Sequence, residues 1–227
     1  MMRNRNLREN KLVTVINPKS PISEAYRTLR TNIQFSNIDK ELKTIMVTSS
    51  GPAEGKTTTA SNLAVVMSQD HKRVLLVDCD LRRPTVHHAF AVPNRIGVTN
   101  VLIGSTALDL AVQSGPIDNL QILPSGPIPP NPAELLSSKR MGNLLDELQD
   151  QYDLVLLDAP PVLAVTDAQI LASKVDGVLL VVKSGHTDRG MALKAKAMLD
   201  NVHANIMGIV LNNRKANRGH YYYYYRK

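Results

Sequence analysis

The chain has 227 residues, 43% of them hydrophobic and 21% charged, with a formal net charge of +7. These proportions suit one α/β domain with short arms and exclude a chain disordered throughout or a collagen-like repeat. The single cysteine, Cys79, excludes a disulfide scaffold and favours a reducing compartment.

The positive charge sits at the two ends. Residues 1–43 carry nine Lys/Arg against four Asp/Glu, and residues 214–227 carry five Lys/Arg and no acid. Residues 44–213 carry 13 basic against 16 acidic groups, so two basic arms flank a mildly acidic body. Such arms suit nucleic acid, anionic lipid, an acidic partner or simple solubility. No apolar run reaches the length of a bilayer span, and the opening residues (MMRNRNLRENK) lack the apolar stretch of a secretion signal. The expected location is the cytoplasm, with any membrane association coming through a partner or a charged patch.

In chain order, Ser20-Pro21 followed by Glu24 predicts a helix over about 22–36, with a capping hydroxyl and an acidic first turn. Apolar runs then recur at Thr44–Ser49, Val74–Asp78, Leu120–Pro124, Leu154–Asp158, Val178–Val182 and Ile206–Leu211. They are apolar on both faces, as parallel strands buried between helix layers are. Helical patterns fall between them at about 57–69, 133–150, 166–174 and 188–201. The alternation predicts an α/β fold with an open, mainly parallel sheet and helices on both faces. Residues 124–132 (PSGPIPPNP) read as a loop, and 212–227 as a tail without apolar periodicity. The expected division is a basic arm and helix over 1–43, a nucleotide-binding domain over 44–213 and a tail over 214–227.

The strongest local signal follows the first strand. Ser50-Gly51-Pro52-Ala53-Glu54-Gly55-Lys56-Thr57-Thr58 leads from a strand into a helix, the setting of a phosphate-binding loop. Backbone N–H groups wrap phosphate oxygens there, Lys56 reaches the β- and γ-phosphates, and Thr57 ligates Mg²⁺. Ser50 replaces the first glycine of the usual pattern. Two further strands end in acids: VLLVD-Cys79-Asp80-Leu81-Arg82-Arg83 and LVLLD-Ala159-Pro160-Pro161. In an open parallel sheet these ends share one crevice, so Asp78, Asp80 and Asp158 are expected beside the loop. Asp158 suits a Walker B role toward Mg²⁺, with Asp78 as a second candidate ligand, and Asp78 or Asp80 suits proton transfer from a hydroxyl. Arg82 and Arg83 are candidates to guide substrate or to form a structural salt bridge. Cys79, between two acids, is expected to be a packed thiol rather than a nucleophile.

Together these segments resemble the bacterial tyrosine kinases of capsule and exopolysaccharide systems, which are P-loop ATPases of the partition-ATPase-like group. The resemblance runs from about residue 14 to the tail. It includes Ser23–Asn32 (SEAYRTLRTN), with Glu24, Arg27 and Arg30, the stretch Asn131–Ser138 (NPAELLSS), and the tyrosine run Tyr221, Tyr222, Tyr223, Tyr224 and Tyr225. It implies ATP and Mg²⁺ as cofactors, autophosphorylation of the tyrosine run, and a homo-oligomeric ring built on Glu24, Arg27 and Arg30. From spacing alone those three residues fit local ion pairs on one helical face. The resemblance also implies a transmembrane activator, as in the split Gram-positive form, recruitment to the inner face of the plasma membrane, and protein substrates in polysaccharide synthesis. It places an adenine contact at Asn212. Partition ATPases carry a signature lysine five residues before the P-loop lysine, and here that position is Gly51. Two other readings stay open: an ATP-driven positioning switch, and a regulatory scaffold whose tyrosine tail is a docking arm. No nucleic-acid motif is present, so a nucleic-acid partner is not expected.

Overall fold

The computed structural model describes residues 12–36 and 42–214. Its elements in chain order are α1 Val13–Ile16, α2 Pro21–Phe35, β1 Thr44–Ser49, α3 Lys56–Ser68, β2 Val74–Asp78, α4 Val86–Phe90, α5 Val98–Ile103 and α6 Leu108–Ala111. They continue with β3 Gln113–Ser114, β4 Leu120–Leu123, α7 Pro132–Ser137, α8 Lys139–Gln151, β5 Leu154–Asp158, α9 Asp167–Ala172, β6 Gly177–Lys183, α10 Arg189–Asp200 and β7 Ile206–Asn212. The strands form one sheet in the order β3-β4-β2-β5-β1-β6-β7, parallel except for the pair β3–β4.

The central strands β1, β2 and β5 are buried along their whole length. Alternate side chains enter two separate cores: Leu75, Val77, Val155 and Leu157 face one, and Val74, Leu76, Leu154 and Leu156 face the other. The first core is closed by Met141, Leu144, Leu145 and Leu148 of α8 with Ala195 and Leu199 of α10. Their spacing of three and four residues is the apolar stripe of a surface helix. The second core is filled by α3, whose residues Thr59–Ser68 are all buried. A helix buried on all sides needs small and apolar residues all round, and the sequence TASNLAVVMS supplies them. The expected cap of α2 is present: the Ser20 hydroxyl accepts from the Ser23 N–H at 3.1 Å, with Pro21 in the first turn.

Three local expectations are corrected. The single helix expected over 133–150 is two. Ser138 has extended backbone (ψ 157°) and its hydroxyl accepts from the Met141 N–H, capping α8 and ending α7. β7 is not buried on both faces: it stands at the end of the sheet order, and Ile209 and Leu211 are 58% and 51% exposed. The segments α1, α4, α5, α6 and β3 left no sequence signal, because elements of two to six residues are too short for a period to register.

The strand order fixes the position of the site. β5 lies between β1 and β2, so the carboxyl ends of these three strands adjoin. That is the switch point at which ligands bind in open α/β sheets.

Candidate functional site

The loop after β1 is built to leave backbone N–H groups free. Helix α3 starts at Lys56 with Gly55 as its N-cap, and no side chain caps it. The donors of its first turn are therefore open to an anion. Gly55 has φ 95°, and a Cβ there would lie 2.0 Å from Asn212 Nδ2, so glycine is required on both counts. Ala53 is also left-handed, at φ 59°. Glu54 is buried and faces inward. Its Oε2 accepts from the Ser50 N–H at 3.0 Å and its Oε1 from the Thr187 O–H at 2.7 Å. Asn212, the expected adenine contact, donates through Nδ2 to the Glu54 carbonyl at 2.9 Å.

All three predicted aspartates converge here. Asp78 and Asp158 are register partners at the last rung of β2 and β5. Asp78 Oδ2 accepts from the N–H groups of Thr85 (3.1 Å) and Val86 (3.0 Å), and Oδ1 from that of Asp80 (3.2 Å). It thus serves α4, whose own N-cap Thr85 gives no side-chain cap. Asp158 Oδ2 accepts from the Thr57 O–H at 2.5 Å. Lys56 Nζ lies 2.8 Å from Asp80 Oδ2 and 3.5 Å from Asp158 Oδ1. The Thr85 hydroxyl donates to Thr57 Oγ1 at 3.0 Å.

Three carboxylates around one ammonium are an electrostatic surplus. Burial, then the charge of Asp158, raises Asp78 well above the usual carboxylate range. Burial likewise raises Asp158, against the pull of Lys56 and the Thr57 hydrogen bond. For Lys56, burial acts downward but Asp158 and Asp80 outweigh it, so the ammonium is held above its ordinary value and stays charged. Burial and the neighbouring acids raise the Cys79 thiol, as expected for a packed, unreactive cysteine.

The loop opens on a cavity of about 580 Å³ lined by Lys56, Thr57, Asp80, Arg83, Thr85 and His88 among others. The two arginines divide. Arg82 forms a two-pronged pair with buried Asp167, at 2.9 and 3.0 Å, which ties the segment after β2 to α9. Among the described residues Arg83 has no ion pair, and it faces the cavity. Asp167, Thr85 and Thr187 were not legible as site residues. Thr187 precedes the capping Asp188 of α10, a local signal for a helix start but not for contact with a loop some 130 positions earlier.

On α2, Glu24 and Arg27 pair at 2.7 Å, and Arg27 also donates to the Pro18 carbonyl at 2.6 Å. Arg30 donates to the Val66 carbonyl of α3 at 2.8 Å within the same chain. The tyrosine run Tyr221–Tyr225 and most of both basic arms lie outside the described residues. Among the described residues no helix is long and apolar enough to cross a membrane.

A phosphate cradle after β1, with acids ending the two strands beside it, defines a nucleotide-binding P-loop protein. The sequence family described as AAA domain matches residues 42–203. Over 217 residues the chain is 48% identical to tyrosine-protein kinase YwqD of Bacillus subtilis, covering 96% of this chain and 92% of that protein. It is 38% identical to putative tyrosine-protein kinase CapB of Staphylococcus aureus, covering 92% and 91%. The chain belongs to the bacterial tyrosine-protein kinases. Tyrosine-protein kinase wzc of Salmonella typhimurium is 36% identical, and the match spans 31% of that longer protein. Among solved structures, the chimerical protein CapA2B2 superposes with TM-score 0.88 at 39% identity over 91% of each chain. The kinase domain of Escherichia coli tyrosine kinase ETK gives 0.86 at 36%, over 91% of this chain and 82% of that one. The septum site-determining protein MinD of Pyrococcus horikoshii, complexed with Mg-ADP, gives 0.64 at 24% and shares the fold.

Proposed function

We propose that this chain is an ATP-dependent protein-tyrosine autokinase that phosphorylates Tyr221–Tyr225 in trans within a homo-oligomer. The observation that carries the reading is the placement of Lys56 Nζ between Asp80 and Asp158, with the Thr57 hydroxyl on Asp158. That is an ammonium and a hydroxyl aimed at the mouth of an anion-binding loop, backed by acids that exchange readily for phosphate oxygens.

Residues Ser50 to Thr58 cradle the phosphates through the loop and the uncapped first turn of α3. Lys56 leaves Asp80 for the transferred phosphoryl group, where its charge counters the charge of the transition state. The tyrosine oxygen bonds to the γ-phosphorus as the bond from that phosphorus to the β–γ bridging oxygen breaks. ADP leaves with the electron pair, and the tyrosine proton passes to a carboxylate. Sequence alone places Asp78 ahead of Asp80 in that role. The cavity supports Asp80, which lines it and is released when Lys56 moves, whereas Asp78 lies behind, engaged by three backbone N–H groups. Arg83, which faces the cavity and has no ion pair among the described residues, guides the acceptor.

The residues present fit Mg²⁺. Among the described residues Asp158 Oδ1 is buried without a hydrogen bond, 3.5 Å from Lys56 Nζ, and Thr57 donates to the other oxygen, Oδ2. Among the described residues no group of three or more His, Cys, Asp or Glu forms a cage, and Mg²⁺ prefers few protein ligands with phosphate oxygens and water. Thr57 and Asp158, with Asp78 behind them, would hold it, and it would neutralise charge on the phosphates.

Beyond the site, exposed Glu24 and half-buried Arg27 support α2 as an oligomer contact, with Arg30 bracing α2 on α3. The resemblance to the family extends the proposal to proteins of exopolysaccharide or capsule synthesis as further substrates. It extends it also to a membrane-bound activator that recruits the kinase to the inner face of the plasma membrane. Gly51, in place of a second lysine, disfavours a partition-type switch.

Intact-mass spectrometry after incubation with Mg-ATP tests this on wild type, Lys56→Ala and a chain ending at Gly219, each with and without the activator's cytoplasmic segment. A ladder of phosphate additions in wild type, absent from both variants, is expected. Steady ADP release with no addition in any sample would replace the kinase by a switch ATPase.

A further inference from the structure

Glu54 is an unusual residue to bury in a loop that binds anions. Its side chain is 2% exposed and touches no part of the cavity. One carboxylate oxygen holds the Ser50 N–H at the start of the loop, and the other holds the Thr187 hydroxyl. Thr187 in turn accepts from the Lys183 N–H at 3.0 Å, so the hydroxyl is fixed at both ends. The Glu54 carbonyl receives the Asn212 amide, and the Asn212 carbonyl receives the Ser184 N–H at 2.9 Å. Above the loop, a Cβ on Gly51 would lie 3.3 Å from the Met191 thioether methyl, so the first turn of α10 rests on it. Through Thr187, Met191 and Asn212 the phosphate loop is tied to the turn after β6, to the first turn of α10 and to the end of β7.

We propose that Glu54 and Thr187 are positioning residues that couple the nucleoside side of the site to the phosphate loop. The inference rests on reading the site as a nucleotide site with its base near Asn212. A base seated beside Asn212 and the 183–188 turn restrains Thr187. Thr187 holds Glu54, and Glu54 holds the loop in the shape that receives phosphates. Preorganisation of this kind raises affinity without a new contact to the ligand, because ordering of the loop is no longer lost on binding. It makes the loop respond to a nucleoside triphosphate but not to a bare polyphosphate.

Equilibrium binding of ATP and of inorganic tripolyphosphate, each with Mg²⁺, is measured on the full chain as wild type, Thr187→Val, Thr187→Ala and Thr187→Ser. Loss of a hydrogen bond to a charged group predicts ATP binding about ten-fold weaker in Thr187→Val. Tripolyphosphate binding is expected within about two-fold of wild type, since it brings no base to restrain Thr187 in either protein. Thr187→Ser, which restores the hydroxyl, recovers ATP binding. If the valine destabilises the fold, Thr187→Ala removes the hydroxyl without forcing a branched methyl group into its place. Unchanged ATP affinity in both hydroxyl-free variants overturns the coupling. Equal weakening of ATP and tripolyphosphate also overturns it, leaving a purely structural hydrogen bond. Should wild type bind ATP no more tightly than tripolyphosphate, the nucleotide-site reading falls first and this inference with it.

Discussion

Asp78 and Asp158 stand on the same rung of two adjacent parallel strands, yet they are held in opposite ways. Asp78 is bonded by backbone N–H groups of Asp80, Thr85 and Val86. Asp158 is met by the side chains of Thr57 and Lys56. One carboxylate therefore shapes the chain after β2, and the other faces chemistry.

The two acids after β2 should separate in their variants. An asparagine at 78 cannot accept three N–H groups through one oxygen, so Asp78→Asn leaves a buried donor unmet, at a cost of about 1–3 kcal/mol. Thermal unfolding should shift down by about 2–4 °C per kcal/mol for a domain of this size. Asp80→Asn keeps the fold close to wild type and loses phosphotransfer. Equal melting temperatures for the two variants would contradict this division.

The pH dependence of Asp78 has a definite sign. Its folded affinity for a proton is raised above the unfolded value, so the native state binds more protons than the unfolded state. Stability from this group is fully present below about pH 4 and declines as pH rises through the folded value. The stability of wild type relative to Asp78→Asn should therefore fall between pH 4 and pH 7. Denaturant titrations across that interval measure the slope, and a rising difference would refute it.

Lys56→Ala removes the only cation within bonding reach of Asp80 and Asp158 among the described residues. Breaking a buried pair by deleting one partner costs about 3–5 kcal/mol when the remaining charge stays ionised. The loss should be greater at pH 8 than at pH 5, where Asp158, raised by burial, takes up a proton more readily. Phosphotransfer should vanish at both. Melting curves at the two pH values, read beside the mass ladder, check both halves.

Gly55→Ala meets two obstacles, φ 95° and a Cβ 2.0 Å from Asn212 Nδ2. Strain of about 1–3 kcal/mol is expected, with ATP binding lost as the loop shifts. A second change, Asn212→Gly, relieves the collision but not the dihedral. Partial recovery of thermal stability in the double variant is the expected outcome, and full recovery would mean that the clash alone forbids a side chain.

Far from the site, Arg73 and Asp153 pair at 2.6 Å at the starts of β2 and β5. The Arg73 hydrogen bonds lower Asp153 to about 2. A depressed carboxylate stabilises above about pH 4 and loses its contribution as pH falls from about 4 to 2. The pair is solvent-exposed, so it contributes little. Arg73→Gln should flatten the acid limb of the stability curve slightly and leave stability at pH 7 close to wild type.

Much of this protein is legible in its amino-acid order. Buried strands announce themselves as apolar runs, Gly55-Lys56-Thr57 between a strand and a helix announces a phosphate loop, and acids closing such runs announce a crevice. Each signal is complete within about ten residues, the scale on which periodicity, capping and turn chemistry act. The helix break at Ser138 had such a signal, a hydroxyl able to cap, but the surrounding apolar stripe obscured it. Only the tertiary structure decided which groups meet. β5 enters between β1 and β2, which sets Asp158 against Thr57 across 101 positions. Arg82 finds Asp167 across 85 positions, and Glu54 finds Thr187 across 133. These partners depend on strand order and register, and no local pattern encodes either, because both follow from how the helices cover the two faces of the finished sheet.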